Sequence, residues 1–268
     1  NSAEAPNTPE FNNANYNLAY SYFKLKEYEN AIQYFDAYTK SSKDDRVRLT
    51  DAYLRLGDCN FMAAKYWPAM DAYNKVIDMK SVDADYAAFQ KGFSYGFVSK
   101  PERKIEDLEK FSKTFPNSQY ADDALYELGN TYVNQNQNDK GISTYDRLIN
   151  GYKSSSYVAK AILKQGLIYY NSNKEDLALT KFKKVVAEYP NSPESIEAVS
   201  TARLIYVDKG QVDEYAAWVK TLSFVEVSDA DLDNDTYESA EKQYLQNNTK
   251  QAISGFSSYV SKFPNGIH

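Results

Sequence analysis

The chain has one cysteine, one histidine and three methionines among 268 residues. A single thiol, Cys59, cannot close an internal disulfide, and with His268 as the only imidazole no Cys/His set has the spacing of a zinc site. The compartment is therefore left open by redox chemistry. The same scarcity removes the common nucleophile and base arrangements, because a Ser-His-Asp or Cys-His pair would have to recruit the last residue of the chain. No apolar run approaches the roughly 20 residues that a membrane-spanning helix needs. Basic residues are also in the minority, 31 against 37 acidic, for a formal net charge of -6. A negative chain without a lysine cluster repels a phosphate backbone, which argues against nucleic acid as the partner. No charged-then-apolar leader follows Asn1, so any secretion signal is expected to lie upstream or to have been removed.

What the chain has in abundance is order of a second kind. A shift of 37 residues superposes Gly92, Gly129 and Gly166, and also Tyr95, Tyr132, Tyr169 and Tyr206. Leu108, Tyr145, Phe182, Val219 and Phe256 form another such series, and an aromatic-Pro-Asn word recurs at Phe115, Tyr189 and Phe263. Within a unit the apolar spacing is helical, as in Leu125, Leu128 and Tyr132, followed by Ile142, Tyr145, Leu148 and Ile149. A polar break separates the two runs, so each unit reads as a helical hairpin.

Ser118, Ser155, Ser192 and Asp229 stand in the position of helix N-caps, where a side-chain oxygen accepts from an orphan N–H. Pro116, Pro190 and Pro264 supply stops. Glycine inside a helix costs about 1 kcal/mol relative to alanine, so Gly57, Gly92, Gly129 and Gly166 call for a compensating close approach. The partners read from the sequence are the residues 12 further on, often small: Ala31, Ala69, Gly141, Ala178 and Ala252. Arg203 and Tyr215 break this pattern in the sixth unit, whose hairpin is expected to splay.

Other candidate sites are weaker. Asp229 to Asp235 begins like a calcium loop, but Asn234 replaces the turn glycine and Ala240 stands where the bidentate glutamate belongs. The stretch reads better as an inter-repeat loop. Asp122-Asp123 and Asp44-Asp45 read as solvated acids, and Cys59, beside Phe61 and Met62, as a packed small hydrophobe. Nothing in the sequence calls for a catalytic residue, a metal or a cofactor.

A Leu128-Gly129 pair, Tyr132, Gly141 and Tyr145, and again Gly166, Tyr169, Ala178, Phe182 and Pro190, resemble the tetratricopeptide repeat. The resemblance implies an all-α fold, a right-handed α-α superhelix of about seven helical hairpins forming a single solenoid over 1–268. Residues 1–11 would be an N-terminal extension and 12–268 the repeats. Phe263-Pro264-Asn265 announces a further repeat, so the chain is expected to be part of a longer one. The 37-residue period is similar to bacterial envelope members of the family, of the Tol-Pal accessory and outer-membrane assembly lipoprotein type. That implies a periplasmic or outer-membrane-associated setting, possible membership of a membrane-associated complex, and a cytoplasmic setting as the alternative.

The family lines its concave face with first helices. Counting from the small positions, that face would carry Tyr16, Tyr20, Phe23, Leu54, Leu163 and Tyr170. Its partner-binding stripe would consist of Phe61, Phe89, Phe93, Phe97, Tyr126, Asn130 and Asn134. Tyr126 occupies the place of the clamp lysine that precedes Asn130 in chaperone-binding members, so a carboxylate clamp is not implied. The expected function is a non-enzymatic scaffold or adaptor binding a protein or peptide in the groove. The alternatives are a carbohydrate-binding module built on the same rings, or a solenoid segment of a glycan-acting enzyme.

Overall fold

A computed structural model describes residues 8–41 and 45–268. The first seven residues of the expected N-terminal extension, and Asp44 of the second acidic pair, lie outside the described residues. Fourteen α-helices follow one another, with no strand among the described residues. The chain forms two compact units, residues 1–144 and 145–268.

The first unit holds α1 (Pro9–Lys24), α2 (Tyr28–Ser41), α3 (Arg46–Met62), α4 (Tyr66–Asp78), α5 (Ala84–Ser94), α6 (Pro101–Thr114), α7 (Ala121–Asn134) and the start of α8 (Asn138–Gly151). The second holds the rest of α8, then α9 (Tyr157–Asn171), α10 (Glu175–Glu188), α11 (Pro193–Asp208), α12 (Val212–Val219), α13 (Asp229–Leu245) and α14 (Thr249–Lys262). Odd-numbered helices open the hairpins and even-numbered ones close them. Within residues 1–144 each helix from α1 to α7 packs on the next, as does each from α9 to α14 within residues 145–268, and first helices also touch first helices: α1 with α3, α5 with α7, and α11 with α9 and α13.

Every hairpin turns through one residue with left-handed backbone: Lys26, Ala64, Ser99, Asn136, Asn173, Gly210 and Asn247. The N–H of the next residue reaches back five positions, as in Gln137 to Tyr132 at 2.9 Å and Lys174 to Tyr169 at 2.9 Å. These bonds close a Schellman motif and satisfy carbonyls left over at the helix end. Asparagine and glycine adopt that conformation readily; alanine does so at a cost of roughly 1–2 kcal/mol. Ala64→Gly is therefore expected to raise stability by about 0.5–1 kcal/mol, the left-handed strain relieved less the extra unfolded-state entropy of glycine. Urea unfolding would measure it, and a loss of stability would contradict the turn geometry.

The glycines do sit at close approaches, and at three of them the nearest neighbour is a large side chain. A Cβ on Gly57 would lie 2.5 Å from Tyr73 Cε1, one on Gly92 3.0 Å from Leu108 Cδ2, and one on Gly166 2.5 Å from Phe182 Cε1. The residue laid over each of these glycines is thus the large one 16 positions on, Tyr73, Leu108 or Phe182, the last two members of the Leu108-Tyr145-Phe182 series. The small residue 12 positions on lies close at one of these pairs, where a Cβ on Gly141 would come 3.4 Å from Gly129 O; Ala31, Ala69, Ala178 and Ala252 are buried. At Gly255 the neighbour is small, Ala240.

Of the four residues expected to cap helix starts, one does so. Ser192 caps α11, accepting from Ser195 N at 3.1 Å. Ser118 and Ser155 instead accept from the N–H two residues on, Tyr120 and Tyr157, in tight turns just ahead of α7 and α9. Asp229 is no cap: it is the first residue of α13, and the cap is Ser228, which forms a capping box with Asp231. The acidic stretch is therefore helix and not loop. Its carboxylates radiate to separate tasks: Asp231 accepts from the N–H and hydroxyl of Ser228, Asp233 from the N–H of Ile267 at 3.0 Å, and Asp235 from Arg203.

Candidate functional site

The first helices of residues 1–144 bring together two features, one polar and one aromatic. Asp51, Arg55 and Asp58 stand at i, i+4 and i+7 on α3 and so share a face. Asp51 accepts from Tyr16 OH at 2.6 Å and from Tyr20 OH at 3.2 Å, both on α1. Arg55 donates through Nε to Tyr20 OH at 3.2 Å and through Nη1 to Asp58 at 2.8 Å. Asp58 also accepts from Tyr73 OH and Tyr86 OH, both at 3.0 Å. One guanidinium, two carboxylates and four phenols thus tie α1, α3, α4 and α5 into one network.

Burial and its neighbours set the protonation of these groups. Burial, reinforced by the hydrogen bond to Asp51, pushes the Tyr16 phenol above its ordinary range, and burial next to Asp58 does the same to Tyr73 and Tyr86. Burial also pushes Asp58 up, against the pull of Arg55 and its two tyrosine donors. For Arg55 burial works against the charge, but Tyr20, Asp58 and Asp51 outweigh it and hold the guanidinium more firmly protonated. Cys59 is fully buried, its thiol raised to about 12 by burial and then by Asp58, which makes it a packed group in this network's floor and a poor nucleophile.

The aromatic feature runs along α5. Phe89 stacks on Tyr120 at 5.7 Å between ring centroids and on Phe93 at 5.9 Å; Phe93 meets Phe97 edge-on at 5.3 Å. Phe61, at the end of α3, touches both Phe93 (6.2 Å) and Phe97 (5.4 Å), and Phe97 stacks on Tyr66 at 4.7 Å. Lys104 holds its ammonium 5.2 Å above Phe93 while pairing with Glu127 at 2.6 Å. Beside these rings Trp67 meets Tyr95 at 6.2 Å.

Four of the seven stripe residues, Phe61, Phe89, Phe93 and Phe97, therefore share one cluster, with unequal access. Phe89 is buried, Phe61 and Phe93 are half-buried, and Phe97 is 49% exposed. Phe97 owes its exposure to a break in regularity: α5 ends at Ser94, and Phe97 rides on the 3-10 turn Tyr95–Val98 that follows. Tyr126 and Asn130 are half-buried and Asn134 is exposed, all on α7. Leu54 and Leu163 are buried and belong to the packing between hairpins. The polar network is not part of the apolar stripe, and its signal in the sequence is the Asp-Arg-Asp spacing on α3 with the tyrosine pair four apart on α1.

Among the described residues no group of three His, Cys, Asp or Glu side chains could hold a metal ion, and no helix is long and apolar enough to cross a membrane. Lone His268 stacks on Tyr237 at 4.2 Å.

Family models described as tetratricopeptide repeat match residues 2–46, 123–155 and 160–192. No curated protein sequence matches the chain. Among solved structures, a tetratricopeptide repeat protein from Parabacteroides merdae is similar over 94% of this chain and 93% of its own, at 15% identity and a TM-score of 0.57. The apo form of RapI is similar over 92% of this chain and 73% of its own, at 13% identity and 0.60. YrrB, described as a tetratricopeptide protein with an unusual peptide-binding site, is similar over 69% of this chain and 89% of its own, at 17% identity and 0.52. The matched segments carry tetratricopeptide repeats, the fold is the all-α solenoid of helical hairpins, and the repeat supports a role as a protein-interaction scaffold.

Proposed function

We propose that this chain of tetratricopeptide repeats is an adaptor that holds a protein or peptide segment against the first helices of residues 1–144, in the setting of a bacterial cell envelope. The observation that carries the reading is the ring cluster around Phe97. An aromatic side chain left 49% exposed, on a platform of Tyr66, Phe61 and Phe93, presents apolar surface already rigid before a partner arrives. Little side-chain entropy remains to be lost there on binding. Exposed Met62 and Trp67 extend the apolar area on the same two hairpins. Removing such area from water contributes about 25 cal/mol per Å². Peptide binding by YrrB supports the class of ligand by analogy of fold. The envelope setting rests on the 37-residue period.

Phe97→Ala is expected to weaken a native partner about thirtyfold, the ~2 kcal/mol typical of a buried aromatic anchor, with little change in melting temperature. Phe93→Ala should weaken it similarly and also cost some stability, since its ring is half-buried. Partner affinity and thermal unfolding would be measured together on each variant. If both fold normally and bind the partner as the parent does, the ring cluster is not the docking face.

A further inference from the structure

The aromatic track does not end at Phe93. Through Phe89 and Tyr120 it reaches Tyr86, whose ring lies 5.4 Å from that of Tyr120. There it opens into a cleft of about 470 Å³ whose walls include Leu54, Arg55, Asp83, Asp85, Tyr86 and Tyr120. We infer that the segment held by this face carries a lysine or arginine a few residues from its aromatic or large apolar anchor, the anchor on Phe97 and the cation in this cleft. The inference rests on the docking reading above and adds the chemistry of the ligand.

Charge complementarity carries it. The one cation lining the cleft, Arg55, is consumed by Asp58 at 2.8 Å and Asp51 at 3.4 Å. Those three groups sum to a single negative charge. Asp83 and Asp85 make no ion pair among the described residues and add two more. Asp85 is oriented by Ser118 Oγ at 2.7 Å and by the Tyr86 N–H at 2.8 Å, so its position is fixed without a counter-charge. Along the track Lys91 is paired with Asp107 at 3.0 Å and Lys104 with Glu127 at 2.6 Å. Asp83 also borders a neighbouring cleft lined by Lys80, Arg46 and Arg48 together with Asp45 and Asp51, where three cations meet three carboxylates, whereas Asp85 faces only the first cleft. The cleft of Asp83 and Asp85 thus has an excess of carboxylate, and its walls are two tyrosine rings, which present negative π-faces to a cation. The nearby carboxylates Asp85 and Asp83 also oppose ionisation of Tyr120, whose phenol burial already pushes up, so both rings stay neutral and available.

Spacing follows from the rings. Tyr120, Phe89, Phe93 and Phe97 are separated by centroid steps of 5.7, 5.9 and 5.3 Å. An extended chain rises about 3.3 Å per residue, so about four or five residues at most separate the basic side chain from the anchor.

The test is selection of displayed random decapeptides on the intact chain, followed by titration of the enriched peptides. We expect enrichment of Lys or Arg within five residues of Phe, Trp, Tyr or Leu. Replacing that basic residue by glutamine should lower affinity about tenfold, and Asp83→Lys, at an exposed position, should lower it at least as much for the basic peptide while leaving the glutamine peptide unchanged. Phe97→Ala should weaken both peptides. Enriched peptides that depend on Phe97 but show no basic preference, or ignore Asp83→Lys, overturn this inference and leave the docking reading standing. Peptides indifferent to Phe97, or no enrichment at all, overturn both.

Discussion

Truncating Phe182 to alanine is expected to lower stability by about 3–5 kcal/mol, since its fully buried ring would leave a cavity. Replacing Gly166 by leucine is expected to cost about 1–3 kcal/mol by overpacking. The two effects should not add. Phe182 Cε1 and Cδ1 would lie 2.5 and 2.7 Å from a Cβ on Gly166, so a leucine there occupies the space the ring vacates. The double variant should recover about 1 kcal/mol or more of the summed loss, a coupling expected only of residues in contact. Trp218 of α12 reports on residues 145–268 once Trp67 is replaced by phenylalanine, so unfolding of that unit can be followed alone. Strict additivity would show that Gly166 and Phe182 do not form the hairpin contact.

Arg203→Ala is expected to cost about 3–5 kcal/mol, the loss typical of breaking one side of a buried ion pair. Asp235, fully buried, accepts from Arg203 Nε at 2.9 Å through each of its oxygens and from Nη2 as well. The hydrogen bond to Asp235 in turn holds Arg203 above its ordinary range. Removing the guanidinium leaves a buried carboxylate without its counter-charge. Removing both charges is a different matter: Arg203→Leu with Asp235→Leu should lie within about 1 kcal/mol of the parent or above it, because the desolvation of both ions is avoided. Unfolding read at Trp218, which sits against Tyr206 and Tyr215, would separate these outcomes. A loss below about 1 kcal/mol in Arg203→Ala would mean that water reaches Asp235 and screens it.

These two sites also show what could be read before the structure. The phase of Gly92, Gly129 and Gly166 was legible because a missing side chain is a strong signal: only a close approach compensates a glycine in mid-helix. Which residue makes the approach was not legible. Ala178 and Phe182 lie one helical turn apart on the same face, and sequence spacing alone does not say which of them lies over Gly166. Arg203 was visible as a misfit, but its partner is 32 residues away on α13, inside a run of aspartates whose composition reads as loop. The capping signal lay one residue upstream, at Ser228, and Ser228 with Asp231 is what turns the run into helix. At the candidate site the aromatic rings were legible as a periodic stripe, whereas the division between core and surface was not. Phe89 and Phe97 carry the same side chain, and only the change from α5 to a 3-10 turn exposes one and buries the other. The Tyr-Asp-Arg network escaped because each of its members is unremarkable alone, and it exists only when α1, α3, α4 and α5 are side by side.

The seven left-handed turns have a consequence for how such a chain can change its length. From Lys26 the turn residues follow at intervals of 38 and 35, and from Ser99 at 37 four times over. The first two intervals depart from 37 by one and two residues, yet the bond that reaches back five positions is present in all seven turns. Each turn is a self-contained punctuation mark, read locally and indifferent to what stands before the helix it closes. A stretch copied from one such mark to the next carries its own full stop, so duplication or excision in whole periods keeps every remaining hairpin in phase, whereas a cut inside a helix would throw the glycine out from under its ring.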